Sequence, residues 1–287
     1  MSKPGQEPAM AVERFSTDAF SPAQVAAKVT TVGVTKCQMP TMQTFVLGIL
    51  AGAFIAFGAM FYTVTITGSG AGFGPARVLG GLTFSLGLIL VLVGGGELFT
   101  GNNLIAMAWA DRKVATRALL RNWLWVYAGN LVGALGTVGL FFYTGCLALG
   151  DNAVAETAVK IAAAKTSLPF SEALARGILC NALVCLAVWL CMAARSVTDK
   201  VLAIVFPITA FVALGFEHSV ANMYLIPIGL LAAESIPEIG TIATLNLGGF
   251  LRNLLAVTLG NIFGGSVLVA LVYYFVYIRG KGKGVVP

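Results

Sequence analysis

The sequence predicts an all-α membrane protein of six transmembrane helices, arranged as two inverted three-helix repeats with helices 2 and 5 broken at the bilayer midplane. Three observations predict it. The 287-residue chain is 58% apolar and only 10% charged, with a mean hydropathy of +0.89, whereas soluble domains carry about a quarter charged residues. No charge occurs between Lys36 and Arg77, Arg121 and Asp151, Arg176 and Arg195, or Arg252 and Arg279, and each gap accommodates at least one crossing of about 20 residues. Finally, short blocks of the first half recur in the same order in the second.

Taken from the N-terminus, residues 1–40 read as a cytoplasmic segment that lacks the basic and apolar regions of a signal peptide, so no cleavage is expected. Within it, Ser21-Pro22 makes a helix start and Val25, Val29 and Val32 share one face. Residues 22–34 therefore read either as a short amphipathic helix at the membrane surface or as an ordered tail. The six-span domain covers 41–280, with crossings near 44–66, 78–110, 121–148, 171–193, 201–233 and 253–279, and 281–287 form a cytoplasmic tail. The second and fifth crossings are too long and too interrupted to be plain helices. Gly94, Gly95, Gly96 and Glu97 interrupt one, and Gly215 with Glu217-His218 interrupts the other, because glycine weakens a helix and leaves backbone groups that need partners.

Orientation follows from the basic residues. With the N-terminus in the cytoplasm, 13 of the 18 Lys and Arg residues fall inside, leaving Arg77, Lys160, Lys165, Arg176 and Arg252 outside. That asymmetry predicts a multi-pass protein of the cell's inner (plasma) membrane with both termini cytoplasmic. The net charge of +6 is thus a loop property, and no nucleic-acid partner is expected.

The repeat aligns RNWLWVYAGNLVG (121–133) with RNLLAVTLGNIFG (252–264), ELFTGN (97–102) with EHSVAN (217–222), and GILAG (48–52) with GILCN (177–181). Two copies of three spans insert with opposite orientation, an aquaporin-like architecture that belongs to channels and transporters. In such folds the breaks meet near the midplane, where half-helix N-termini present partial positive charge to an anion. Glu97 and Glu217 are equivalent, and the simplest reading has each carboxylate accept hydrogen bonds from backbone donors at its break, with Asn102 and Asn222 in support. His218, the one histidine, faces Leu98 in the alignment, so symmetry does not demand it. It is either a packing residue or a pathway residue, and intramembrane ionisable groups commonly line a pathway. Thr100 either offers its hydroxyl to that histidine or bonds its own helix.

Rival classes fare poorly. Cys37, Cys146, Cys180, Cys185 and Cys191 form no CxxC, so packing is preferred to metal or redox work and no cofactor is expected. A haem oxidoreductase ordinarily needs two axial ligands. Ser219 adjoins His218, but adjacent helical residues do not face each other, which weakens an intramembrane hydrolase. A neutral-solute aquaporin-like pore lacks its NPA signature here.

At FSLGLILV, GELFTGN, NWLWVYAGNLVGA, CNALVCLAVW, GFEHSVANM and VTLGNIFGG the chain resembles the formate/nitrite transporter family, over about residues 22–279. The resemblance implies a homopentamer in the lipid bilayer whose protomers each pass small monovalent anions, formate first, with nitrite or hydrosulfide as alternatives. It also implies a central histidine at His218, a facing threonine at Thr100, a vestibule lysine at Lys165, a pore asparagine at Asn181, and Glu217 along the pathway. Apolar constrictions would map to Phe84, Leu88, Leu98, Phe99, Val184, Leu202 and Phe211, all of which read as ordinary core on their own. GGGELFTGNN differs from the best-known formate members, as does the composition of residues 232–250. The expected mechanism has Lys165 gather the anion and His218 share a proton with it, because a bare anion in an apolar slit loses several kcal/mol of solvation.

Overall fold

The computed structural model describes residues 18–236 and 242–280. The terminal stretches of the predicted N-terminal segment and tail, and part of 232–250, lie outside the described residues. The described residues are helical throughout apart from turns and loops: α1 Pro22–Gln38, α2 Thr41–Ile66, α3 Phe73–Gly94, α4 Phe99–Asn102, α5 Ala106–Ala110, α6 Thr116–Tyr143, α7 Ala153–Thr166, α8 Phe170–Ala193, α9 Val197–Ala213, α10 Ser219–Ser235, α11 Leu247–Ile262 and α12 Val272–Tyr277. A 3-10 turn joins α4 to α5, and a π-helical stretch, Phe263–Leu271, joins α11 to α12. Among the described residues, five helical segments are long and apolar enough to cross a membrane: α2, α3, α6, α8 and the continuous Leu247–Tyr277.

α1 starts as its sequence dictates. Ser21 accepts from the Gln24 amide while the Gln24 side chain accepts from the Ser21 amide, a reciprocal cap, and Pro22 occupies the first turn. Its apolar face, Val25, Ala26 and Val29, is buried, so the segment is a docked helix and runs four residues past the predicted 34. α7, which sequence patterning leaves as loop, is a 14-residue helix packed on α10.

The two halves pack alike. α2 lies against α3 and α6, and α8 lies against α9 and α11. Both inner crossings are close because glycines face backbone: a Cβ at Gly133 would collide with the Ile49 oxygen, and one at Gly264 with the Ile178 oxygen. Small residues at helix crossings let backbones approach where lipid offers no hydrophobic drive for association.

Helix stops twice at glycine and resumes a few residues later. α3 ends at Gly94, Gly95 takes φ 92°, and helix resumes at Phe99. α9 ends at Ala213, Gly215 takes φ 72°, and helix resumes at Ser219. A left-handed φ is open to glycine without a Cβ clash.

Candidate functional site

Backbone groups stranded by these interruptions must find partners. They find asparagines. Asn130 of α6 donates to the oxygens of Gly48 and Glu97, both at 2.8 Å, and accepts from the Phe99 amide at 2.9 Å. Asn261 of α11 repeats this: it donates to Gly177 and Glu217 oxygens at 2.8 and 3.0 Å and accepts from the Ser219 amide at 2.9 Å. The Glu97 and Glu217 amides donate to the oxygens of Leu47 and Arg176. One side-chain amide thus matches a donor and two acceptors at each interruption.

The carboxylates do something else, which corrects the expectation that they accept from backbone. Glu97 takes the Lys36 ammonium at 2.6 Å and the Asn102 amide at 2.7 Å. Asn102 also donates to Asn122 at 2.9 Å, and Asn122 returns to the Lys36 oxygen. Glu217 takes the Lys165 ammonium at 2.8 Å and the Asn222 amide at 2.7 Å. Asn222 in turn donates to Asn253 at 2.7 Å, and Asn253 returns to the Lys165 oxygen. Charges this buried persist when paired and hydrogen-bonded. Lys165 therefore sits in the last turn of α7 bound to Glu217, with a side chain only 14% exposed, and is not a loop charge.

Between the two interruptions, His218 Nε2 lies 2.9 Å from Thr100 Oγ1, both buried. The His218 Nδ1 accepts the Ala221 amide at 3.0 Å and so caps α10. A nitrogen that accepts from an amide carries no proton, so in the neutral ring the proton is on Nε2 and is donated to Thr100. Both sequence readings of Thr100 narrow to the one in which it faces the histidine. Asn181 underpins the pair by donating to the Thr100 oxygen at 3.2 Å, the Asn103 side chain at 2.7 Å and the Asn261 oxygen at 2.7 Å.

Apolar residues flank the pair. Phe211 stacks on the His218 ring with centroids 5.9 Å apart, and Phe84 meets Phe211 edge-on at 5.6 Å. Leu88 and Leu98 line a cavity bounded on the α1 side by Val29, Gly33 and Lys36. Val184 is buried one turn beyond Asn181. The structure does not bring Phe99 and Leu202 to this group. Phe99 turns toward α6, edge-on to Tyr127 at 4.8 Å, as expected for the residue after Leu98, since helical neighbours in sequence diverge. Leu202 is 57% exposed, and nine residues from Phe211 is half a turn out of phase on α9.

Sequence reasoning missed Lys36, Asn122, Asn130, Asn253 and Asn261. The last four are the recurring asparagines of RNWLWVYAGN and RNLLAVTLGN, so the signal was present.

A family model described as formate/nitrite transporter matches residues 23–275. The chain belongs to that family. This member is 41% identical over 273 residues to formate channel FocA of Escherichia coli (strain K12), covering 91% of this chain and 96% of that one. It is 39% identical over 282 residues to a probable formate transporter of Methanothermobacter thermautotrophicus, covering 90% and 97%. Among solved structures it is similar to a pentameric formate channel with formate bound, with TM-score 0.78, 41% identity and coverage of 83% and 98%. It is also similar to an FNT family ion channel, with TM-score 0.79, 28% identity and coverage of 88% and 98%. The formate/nitrite transporter member described here is a multi-pass membrane protein, and these relatives are named as channels or transporters, not enzymes.

Proposed function

We propose that the chain forms a pentameric channel of the cell's inner membrane for small monovalent anions, formate above nitrite and hydrosulfide, with both termini cytoplasmic. Residues 41–280 make six crossings as two inverted repeats. α3 with α4–α5 forms the second, α9 with α10 forms the fifth, and both are broken at the midplane. Residues 1–40 and 281–287 flank this domain on the cytoplasmic side. The duplicated Lys–Glu–Asn–Asn network supports that reading, because the same four residue types occur at matching places in each half.

The observation that carries the function is the His218–Thr100 pair, polar and buried, set among Phe84, Leu88, Leu98, Val184 and Phe211. An anion between these side chains loses its water and meets the Nε2–H of His218 and the Thr100 hydroxyl in its place, with Asn181 holding Thr100. Crossing the apolar flanks as a charged species costs several kcal/mol, whereas the neutral acid crosses freely. The proton is shared at His218. If the ring gives its Nε2 proton to the anion, a proton taken up from water onto Nδ1 keeps the ring neutral, and a protonated Nδ1 no longer accepts the Ala221 amide. Proton sharing is thereby tied to the first turn of α10. Lys165 and Lys36, held by Glu217 and Glu97, keep a cation at each half's interruption without leaving an unpaired charge.

Uptake into proteoliposomes tests this across formate, nitrite, hydrosulfide and acetate, with internal pH recorded. Formate is expected to enter fastest and to carry a pH change. Rates equal to protein-free vesicles for every anion would overturn the channel reading.

A further inference from the structure

A second feature lies away from the His218 pair, where α8 turns into α9. A groove of about 470 Å³ runs between these helices, lined by Leu183, Leu186 and Leu190 from α8 and Leu202 and Phe206 from α9, with Tyr273 beyond. Its walls are apolar and open outward: Leu202 is 57% and Phe206 75% exposed. At the end near the α8–α9 junction stand Lys28, Arg195 and Lys200. The Lys28 ammonium reaches the Met192 oxygen at 3.2 Å, Arg195 lies 3.7 Å over the Phe20 ring, and the Lys200 oxygen accepts the Cys191 thiol. Arg279 follows α12, which packs against α1. Burial, then the nearby charges of Lys200 and Arg195, hold the Lys28 ammonium below its ordinary pKa. Lys28 and Arg195 share the Phe20 ring, at 4.6 and 3.7 Å from its centroid, which brings the two like charges close together.

Among the described residues, the acidic ones at this junction are Asp18, whose main-chain oxygen accepts from Arg195 Nε at 2.9 Å, and Asp199, whose carboxylate is engaged by the Ser196 amide at 3.0 Å as part of a helix cap. Asp111, at the end of α5, is paired with Lys113 at 2.8 Å. Trp189 stacks against Tyr273 with centroids 4.1 Å apart, and Tyr277 lies 6.4 Å from Trp189. Trp and Tyr gather at the headgroup level of a bilayer, so the cations sit at headgroup depth while the groove descends into the hydrocarbon.

We propose that this groove and its basic end form a binding site for an anionic phospholipid, with an acyl chain between α8 and α9 and the phosphate among Lys28, Arg195 and Lys200. Charge complementarity decides the occupant. An anionic lipid supplies both the negative headgroup and the chain, and cations at the membrane surface favour such lipids additively.

The full-length protein, purified and titrated with phosphatidylglycerol or phosphatidylcholine, is examined by native mass spectrometry that counts retained lipids. Phosphatidylglycerol is expected to be retained in preference. Lys200→Gln should weaken its retention about fivefold, while Lys113→Gln, which removes equal charge elsewhere, should leave it unchanged. Ala203→Trp, which fills the groove without touching charge, should displace the lipid. Inorganic phosphate should not compete at equal concentration. Equal retention of the two lipids by the unmodified protein would overturn the proposal. So would full competition by phosphate, or crosslinking of Leu202→Cys between copies in the lipid-loaded assembly, which would seat another copy in the groove.

Discussion

His218 is at once the cap of α10 and the partner of Thr100, and the two duties use different ring nitrogens. Asparagine is a good helix cap but cannot titrate and is too short to span both contacts. His218→Asn is therefore expected to fold and to lose the component of formate flux that varies with pH. The pH profile of uptake in proteoliposomes checks this, and an unchanged profile in well-folded protein would remove proton sharing from the mechanism. The buried ion pairs make a separate case. Removing one partner strands the other, at a cost of about 3–5 kcal/mol, so Glu217→Gln should lower the melting temperature of the purified protein sharply. Lys165→Met together with Glu217→Gln should recover much of that loss, because neither charge is then left alone. A double variant as unstable as the sum of the singles would mean that the two residues act independently.

At the scale of elements, close crossings govern stability. Gly133→Ala should destabilise because its Cβ meets the Ile49 backbone oxygen. Gly139→Ala, two turns further along α6 with open space around it, should stabilise by up to about 1 kcal/mol through helix propensity. Thermal unfolding in detergent measures both, and an inverted order would refute the close-contact account. These elements also show what could be read beforehand. Long apolar segments bounded by charge locate α2, α6 and α8 within a few residues, and Gly94–Gly95–Gly96 and Gly215 locate the interruptions, since no side-chain context is needed for either signal. α7 was illegible because its short, Ala-rich sequence between charged turns lacks the apolar length of a crossing. Its equivalence to α1 hides in one spacing: Lys36 and Lys165 each stand four residues before a proline, Pro40 and Pro169. Arg121 donates to the Cys37 and Met39 oxygens, and Arg252 to those of Thr166 and Leu168, one and three residues past the two lysines. The repeat unit therefore begins with a short docked helix in each half. The roles of Glu97 and Glu217 were misread for a related reason: a carboxylate's partner 61 or 52 residues away is set by helix packing, which no local pattern encodes.

For the molecule as a whole, the asymmetry of basic residues makes orientation the decisive question, because it fixes which face meets the cytoplasm. The protein carries its own reporter. Of its five cysteines, Cys146 alone is not buried, and it lies in the turn after α6, on the side where few basic residues fall. Burial raises the Cys37 thiol to a pKa of about 11, so Cys37 stays protonated and unreactive at the pH of a maleimide reaction, since the thiolate is the nucleophile. A membrane-impermeant maleimide added to intact cells should thus label Cys146 in the unmodified protein. In a Cys146→Ser background, Glu156→Cys, on the exposed face of α7, should label from outside. Ala115→Cys, in the exposed turn before α6, should label only after the membrane is opened. The two positions flank α6, so they must respond oppositely if α6 crosses the bilayer once. Labelling of Ala115→Cys in intact cells with protection of Glu156→Cys would place the α1 side outside and reverse the assignment of faces. Equal labelling of both in intact cells would mean that α6 does not span the membrane at all.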